Sequence, residues 1–166
     1  LDEDSPDLAA TLTPQHAILT WYDVYYAGGE MKNPRNYCYP VAKSEKDRQA
    51  VVRAMTSGDE RFFDGTDAAP HWTSNKLLIP GSPSLPTPGV FFGWVEYLKY
   101  LEIFDRAGAL GRFEDFTSRF GAERYGFPLN QETIAVRREE WCPPVIRDGV
   151  ARCMEGERLG WKIVQK

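Results

Sequence analysis

The stretch Arg61-Phe62-Phe63-Asp64-Gly65-Thr66-Asp67-Ala68-Ala69-Pro70-His71 decides the fold. Arg61, Phe62 and Phe63 have strand propensity and lead straight into Gly65-Thr66-Asp67, a tight exit. A strand that ends this way presents a carboxylate at its C-terminal edge. That is where α/β enzymes keep catalytic groups, because the loops there carry no packing duty. The same residues also read as an ordinary turn, with Asp67 capping a following helix and His71 incidental. The local pattern leaves both readings open.

Upstream, Leu8 to Thr13 is an apolar and threonine-rich run suited to a buried parallel strand, ended by Pro14. Ala17 to Tyr26 is rich in aromatics, Gly28-Gly29 breaks it, and Lys32 to Arg35 reads as a loop. Ser44 with Asp47 three residues on resembles a capping box. Ala50, Val51, Ala54 and Met55 then mark one helical face, and Gly58 stops the helix. Strand, helix and strand in this order make a parallel βα unit.

Downstream, Asn75 to Pro88 holds four prolines and no periodicity, the pattern of a long loop at the strand's functional end. Val90 to Ala107 predicts a helix with Phe91, Trp94, Val95, Leu98, Leu101 and Phe104 on one broad face. Gly108 and Gly111 separate it from a shorter helix carrying Phe113, Phe116 and Phe120, all read as core. The tail from Arg137 joins Cys142-Pro143-Pro144 to a final amphipathic strand.

With 166 residues and 42% hydrophobic content, one globular unit is expected. A net charge of −4 with scattered basic residues gives no footprint for nucleic acid or an anionic membrane. No apolar run reaches the length of a membrane span, and no signal peptide opens the chain. The acidic start Leu1-Asp2-Glu3-Asp4 reads as a solvated lead-in and, lacking Met, as the start of a processed or split product. Cys38, Cys142 and Cys153 are odd in number without C-x-x-C spacing. That argues against a disulfide framework and a thiolate zinc site, and for a reducing compartment. The two histidines are far apart, so no H-x-H or H-E-x-x-H constellation is present.

Several stretches resemble, in the right order, the short monofunctional dihydroorotases of bacteria and fungi, within the amidohydrolase superfamily. They are Leu8-Ala9-Ala10-Thr11-Leu12-Thr13-Pro14-Gln15-His16, Tyr37-Cys38-Tyr39-Pro40, Gly65-Thr66-Asp67 with Ala69-Pro70-His71, Tyr125-Gly126-Phe127-Pro128-Leu129-Asn130, and Arg158 to Val164. The resemblance covers only the C-terminal half of that family. It implies an α/β fold: about the last two βα units of a (β/α)8 TIM-type barrel plus a helical C-terminal extension. The division expected is 1–107 for the barrel part and 108–166 for the extension. A whole barrel needs eight strands and about 250 residues. This chain is therefore expected to need an N-terminal half, or another chain, to cover its open strand edges.

The resemblance also implies a chemistry: reversible cyclisation of N-carbamoyl-L-aspartate to dihydroorotate in pyrimidine biosynthesis. In that family two zinc ions bridged by a carboxylated lysine activate a hydroxide, the metal lowering the pKa of bound water to about 7. By this resemblance Asp67 is a zinc ligand and the general base, and His71 holds the substrate carboxylate. Tyr39 and Pro88 contact substrate through the main chain, although Pro88 has no N–H to donate. Lys76 also has a counterpart, whereas His16 is assigned a structural role. The family's H-x-H, carboxylated lysine and two further zinc histidines have no match within this sequence. The binuclear zinc is thus expected only with the missing half, and the chain alone is expected to be inactive.

Three readings follow. One is an enzyme half, completed by an N-terminal partner and acting on a small-molecule substrate. Another is a catalytically silent, dihydroorotase-like structural subunit of a larger assembly. The third is a hydantoinase-like or allantoinase-like enzyme, against which the Y-C-x-P and T-P-Q-H matches weigh. Homodimer or larger complex stays open, as does a cytoplasmic or other reducing location, including an organelle.

Overall fold

The computed structural model describes residues 8–78 and 84–164. The acidic lead-in Leu1 to Asp7 and the centre of the proline-rich loop, 79–83, lie outside them.

Strand β1 (Ala10–Leu12) runs into Pro14, which cannot extend a ladder but suits the first turn of α1 (Pro14–Ile18). Thr20 opens the single turn of α2 (Trp21–Val24). The helix expected after Ser44 is α3 (Glu45–Met55). Ser44 Oγ accepts from Asp47 N–H at 3.3 Å, and Ser44 N–H donates to the Asp47 carboxylate at 3.2 Å. Its buried side is carried by Val51, Val52 and Met55; Ala50, assigned to that face from the sequence, is exposed. Strand β2 (Phe62–Asp64) then returns beside β1, in parallel and in the register Ala10–Phe62, Thr11–Phe63, Leu12–Asp64. The βα unit expected from the sequence is present, in shorter strands.

No helix starts at Asp67, the next being a 3₁₀ turn over Thr73–Lys76 that Trp72 opens, so the helix-capping reading of that carboxylate is overturned. The chain instead makes a parallel bridge from Ala68 to Val90 and enters β3 (His71–Trp72). The helix expected from Val90 begins later, as α4 (Glu96–Arg106) after a 3₁₀ turn over Gly93–Val95. The reason is Gly93 at φ +73°, which an α-helix cannot absorb. Trp94 is consequently exposed, while Tyr100 and Ile103, left off the expected face, are buried. Helix α4 is buried almost all round. Leu98 and Leu101 belong to a core with Leu19, Val24, Val90, Phe92 and Leu159. Tyr100, Ile103 and Phe104 belong to a second core with Ala17, Met55 and Phe116.

The segment Asp115–Arg119 is wound as a π-helix and continues into α5 (Phe120–Tyr125), which ends at Gly126 in the left-handed conformation. Phe116 and Phe120 are buried as expected. Beyond Tyr125 the extension, expected to be helical before a final amphipathic strand, forms that strand and two others. β4 (Val136–Trp141) pairs antiparallel with β6 (Leu159–Ile163), and β5 (Val150–Ala151) pairs antiparallel with β3. Glu102 and Asp105 of α4 hold β6, through Gly160 N–H at 2.7 Å and Trp161 Nε1–H at 3.0 Å. The described residues thus form an α/β fold of three two-stranded sheets around α4. None of their helices is long and apolar enough to cross a membrane, and their three cysteines are free.

Candidate active site

The C-terminal ends of β1 and β2 lie side by side because residue 65 has no side chain. A Cβ there would stand 2.4 Å from Thr11 Cβ. The sharp exit brings Asp67 out at φ +48°, a left-handed conformation that aspartate tolerates better than most residues. Its exposed carboxylate receives Gln15 Nε2–H at 3.4 Å, from the first turn of α1. Gln15 itself is fully buried (0% exposed), and its Oε1 has no donor among the described residues.

Behind this carboxylate the chain places two more acids. Glu96 is 7% exposed, and its Oε1 likewise has no hydrogen-bond partner. Burial, followed by the negative charges of Asp64 and Asp67, pushes its carboxyl up to about 7. Asp64, at the end of β2, is raised to about 6 by burial, with Tyr97 O–H donating at 3.0 Å and opposing the rise. Tyr97 is pushed up to about 12 by burial and by the same carboxylates. Tyr100 O–H closes the end of β1 by donating to Leu12 O at 2.7 Å. None of these four was identifiable as a site residue from the sequence, because their proximity depends on where α4 packs.

The four expected site positions are brought to one end of the fold. The segment carrying Asp67 and His71 runs beside the segment carrying Pro88. Ala69 N–H donates to Val90 O at 3.0 Å, and His71 Nε2 lies 3.1 Å from Pro88 O. Residue 89 must be glycine for this approach: at φ +136° its Cβ would stand 2.6 Å from Ala69 Cβ and 2.8 Å from His71 Nε2. Gly89 N–H donates in turn to Tyr37 O at 2.9 Å, bringing in the Tyr37-Cys38-Tyr39 segment. The Tyr39 side chain is 75% exposed, and its peptide bond to Pro40 is cis.

Lys76 lies beneath these segments, 2% exposed. Its Nζ donates to Tyr37 O at 2.9 Å, Thr87 O at 2.9 Å and Gly89 O at 2.8 Å. Burial pulls its pKa down to about 8, against the charges of Cys38 and Cys153. His16 is fully engaged elsewhere, with Nε2 2.8 Å from Pro40 O and Nδ1 2.6 Å from Thr13 Oγ1. Pro40 O can only accept, so Nε2 carries a proton. The structural role expected for His16 fits these partners.

A zinc site needs several strong ligands converging on one point. Among the described residues no three His, Cys, Asp or Glu side chains do so. Asp67 offers one carboxylate, and the described residues do not by themselves fit a zinc ion.

No protein-family model matches the chain. It is 39% identical over 164 residues to dihydroorotase of Laribacter hongkongensis, covering 96% of this chain and 45% of that protein. It is 36% identical over 159 residues to mitochondrial dihydroorotase of Arabidopsis thaliana, covering 93% and 40%. Among solved structures, Saccharomyces cerevisiae dihydroorotase in complex with 5-fluoroorotic acid superposes with a TM-score of 0.79 at 32% identity, covering 94% of this chain and 43% of that one. Campylobacter jejuni dihydroorotase superposes with a TM-score of 0.79 at 26% identity, covering 98% and 46%. The chain spans less than half the length of each of these relatives.

Proposed function

We infer that the chain belongs with the dihydroorotases, whose C-terminal half it matches along nearly its whole length. From that footing we propose that it supplies one half of the active site of a dihydroorotase-like amidohydrolase interconverting N-carbamoyl-L-aspartate and dihydroorotate. Residues 1–107 would be the last units of the barrel and 108–166 an extension packed on it. The observation that supports this most is the meeting of Asp67, His71, Pro88 and the Tyr39 segment at the C-terminal end of the parallel pair.

Ring opening adds a water oxygen to the ring amide carbon and breaks its bond to nitrogen, which leaves with a proton. Asp67, exposed at the strand end and steadied by Gln15, is the group to take the proton from water and return it to that nitrogen. His71 and the main chain around Tyr39 and Pro88 orient the substrate. Pro88 does so without an N–H, and its carbonyl already accepts from His71. The binuclear zinc of this reading would come with ligands outside the present residues, and would supply the Lewis acid that polarises the amide.

The second reading is a catalytically silent subunit. It is favoured by the missing donor at Pro88 and by the absence of a converging ligand set among the described residues. Co-expression with a dihydroorotase N-terminal half separates the two. A complex that binds about two zinc ions and hydrolyses dihydroorotate supports the enzyme-half reading. A stable complex with neither property would leave the structural one.

A further inference from the structure

Lys76 carries a charge into an interior without a carboxylate partner among the described residues. An ammonium has three N–H donors and no acceptor. Here all three are spent on main-chain carbonyls, at 2.8 to 2.9 Å. Burying a cation is costly, and simple packing would be served as well by Met or Leu. What the charge adds is convergence, since three carbonyl dipoles from two separate segments are aimed at one point.

The two segments are those that carry the proposed main-chain contacts. Tyr37 O lies two residues before Tyr39, and it accepts from Gly89 N–H as well as from Lys76. Thr87 O and Gly89 O flank Pro88 on either side. Three successive carbonyls, at 87, 88 and 89, are thus all held by basic side chains. Lys76 takes the outer two and His71 the middle one. Deleting the ammonium frees Thr87 O and Gly89 O together and leaves the Gly89–Tyr37 bond as the direct tie between the segments.

We infer that Lys76 is a positioning residue. Its ammonium fixes the Tyr37–Tyr39 and Thr87–Gly89 segments relative to each other, and so sets the spacing between the two main-chain contacts and His71. This rests on the dihydroorotase reading for what is bound, but on geometry alone for the clamp.

The test has two arms. In the full chain, Lys76→Met keeps the length and burial of the side chain but has no donor. Hydrogen exchange is expected to quicken at least about tenfold in 37–41 and 86–90 together, with α4 unchanged. Lys76→Gln, with two N–H donors, is expected to fall between, and it carries the test if the Met variant does not fold. Unchanged exchange in either segment, or loosening spread evenly through α4, overturns the clamp. In the complex with an N-terminal half, the Met variant is expected to raise KM for dihydroorotate about tenfold, with kcat within about twofold. Looser segments with an unchanged KM would overturn the positioning role. A wild-type complex with no turnover would sink the dihydroorotase reading instead, and the exchange arm would still decide the clamp.

Discussion

His71 Nε2 points at the carbonyl of Pro88, 3.1 Å away. A carbonyl only accepts, so this nitrogen donates to it. The ring is thereby set against the segment that carries the proposed Pro88 contact. His71→Asn should weaken binding of dihydroorotate to the completed enzyme at least about tenfold, as calorimetry would measure; an unchanged affinity would exclude His71 from holding the substrate carboxylate.

Asp67 sits at φ +48°, a region asparagine accepts and alanine resists. Asp67→Asn should therefore leave the melting temperature of the chain unaltered. In the completed enzyme it should lower kcat by about 10²–10⁴-fold, the range for a lost proton-transfer group. Asp67→Ala should add a stability loss of about 1 kcal/mol that the catalytic assignment does not require. Comparable activity in the Asn variant would remove Asp67 from the mechanism.

Gly65→Ala would put a Cβ 2.4 Å from Thr11 Cβ, where the ends of β1 and β2 lie side by side. The expected loss is about 3 kcal/mol in urea unfolding. Because the nearest obstacle is the Thr11 side chain, Gly65→Ala combined with Thr11→Gly should recover part of it. Additive losses in the double variant would mean that the strands are not tied at this point.

Glu96 makes stability fall as pH rises. Its folded pKa of about 7 lies above the ordinary 4.5, so the folded chain keeps a proton that the unfolded chain releases. The stability deficit is absent below about pH 4.5, grows through pH 7, and is complete above it, at most roughly 3 kcal/mol. Glu96→Gln cannot ionise. It should match the wild type at pH 4.5 and be the more stable at pH 8, as followed by denaturant midpoints. A constant difference across that range would place the carboxyl in water.

The site was legible where function is written in contiguous residues. Gly65-Thr66-Asp67 and His71 were singled out from one short run, and the structure puts them at the end of a parallel strand pair. Tyr39 and Pro88 came only through resemblance, since nothing local distinguishes a backbone contact. Gln15, Asp64 and Glu96 were missed as a group, because their interaction depends on the packing of α1 and α4 against the strand ends. The late start of α4 was missed for a local reason: a hydrophobic face continues through Phe91 and Trp94, but Gly93 at φ +73° breaks the helix before it. The strands after Tyr125 were only half legible, because β4 is exposed along most of its length and shows little alternation.

The parallel pairing of β1 with β2 also bears on the order of folding. Gln15 and Asp67 are 52 positions apart, and the ladder that aligns them is three residues long. Closing so wide a loop costs entropy before any contact rewards it. Helix α3, with its local capping box, can form without waiting for that closure. The carboxylate and its amide neighbour therefore meet late, when the two strand ends finally align. In pulse-labelled refolding, the amides of β1 and β2 should gain protection after those of α3 and α4. An intermediate would then have much of its helix content and no assembled carboxylate site.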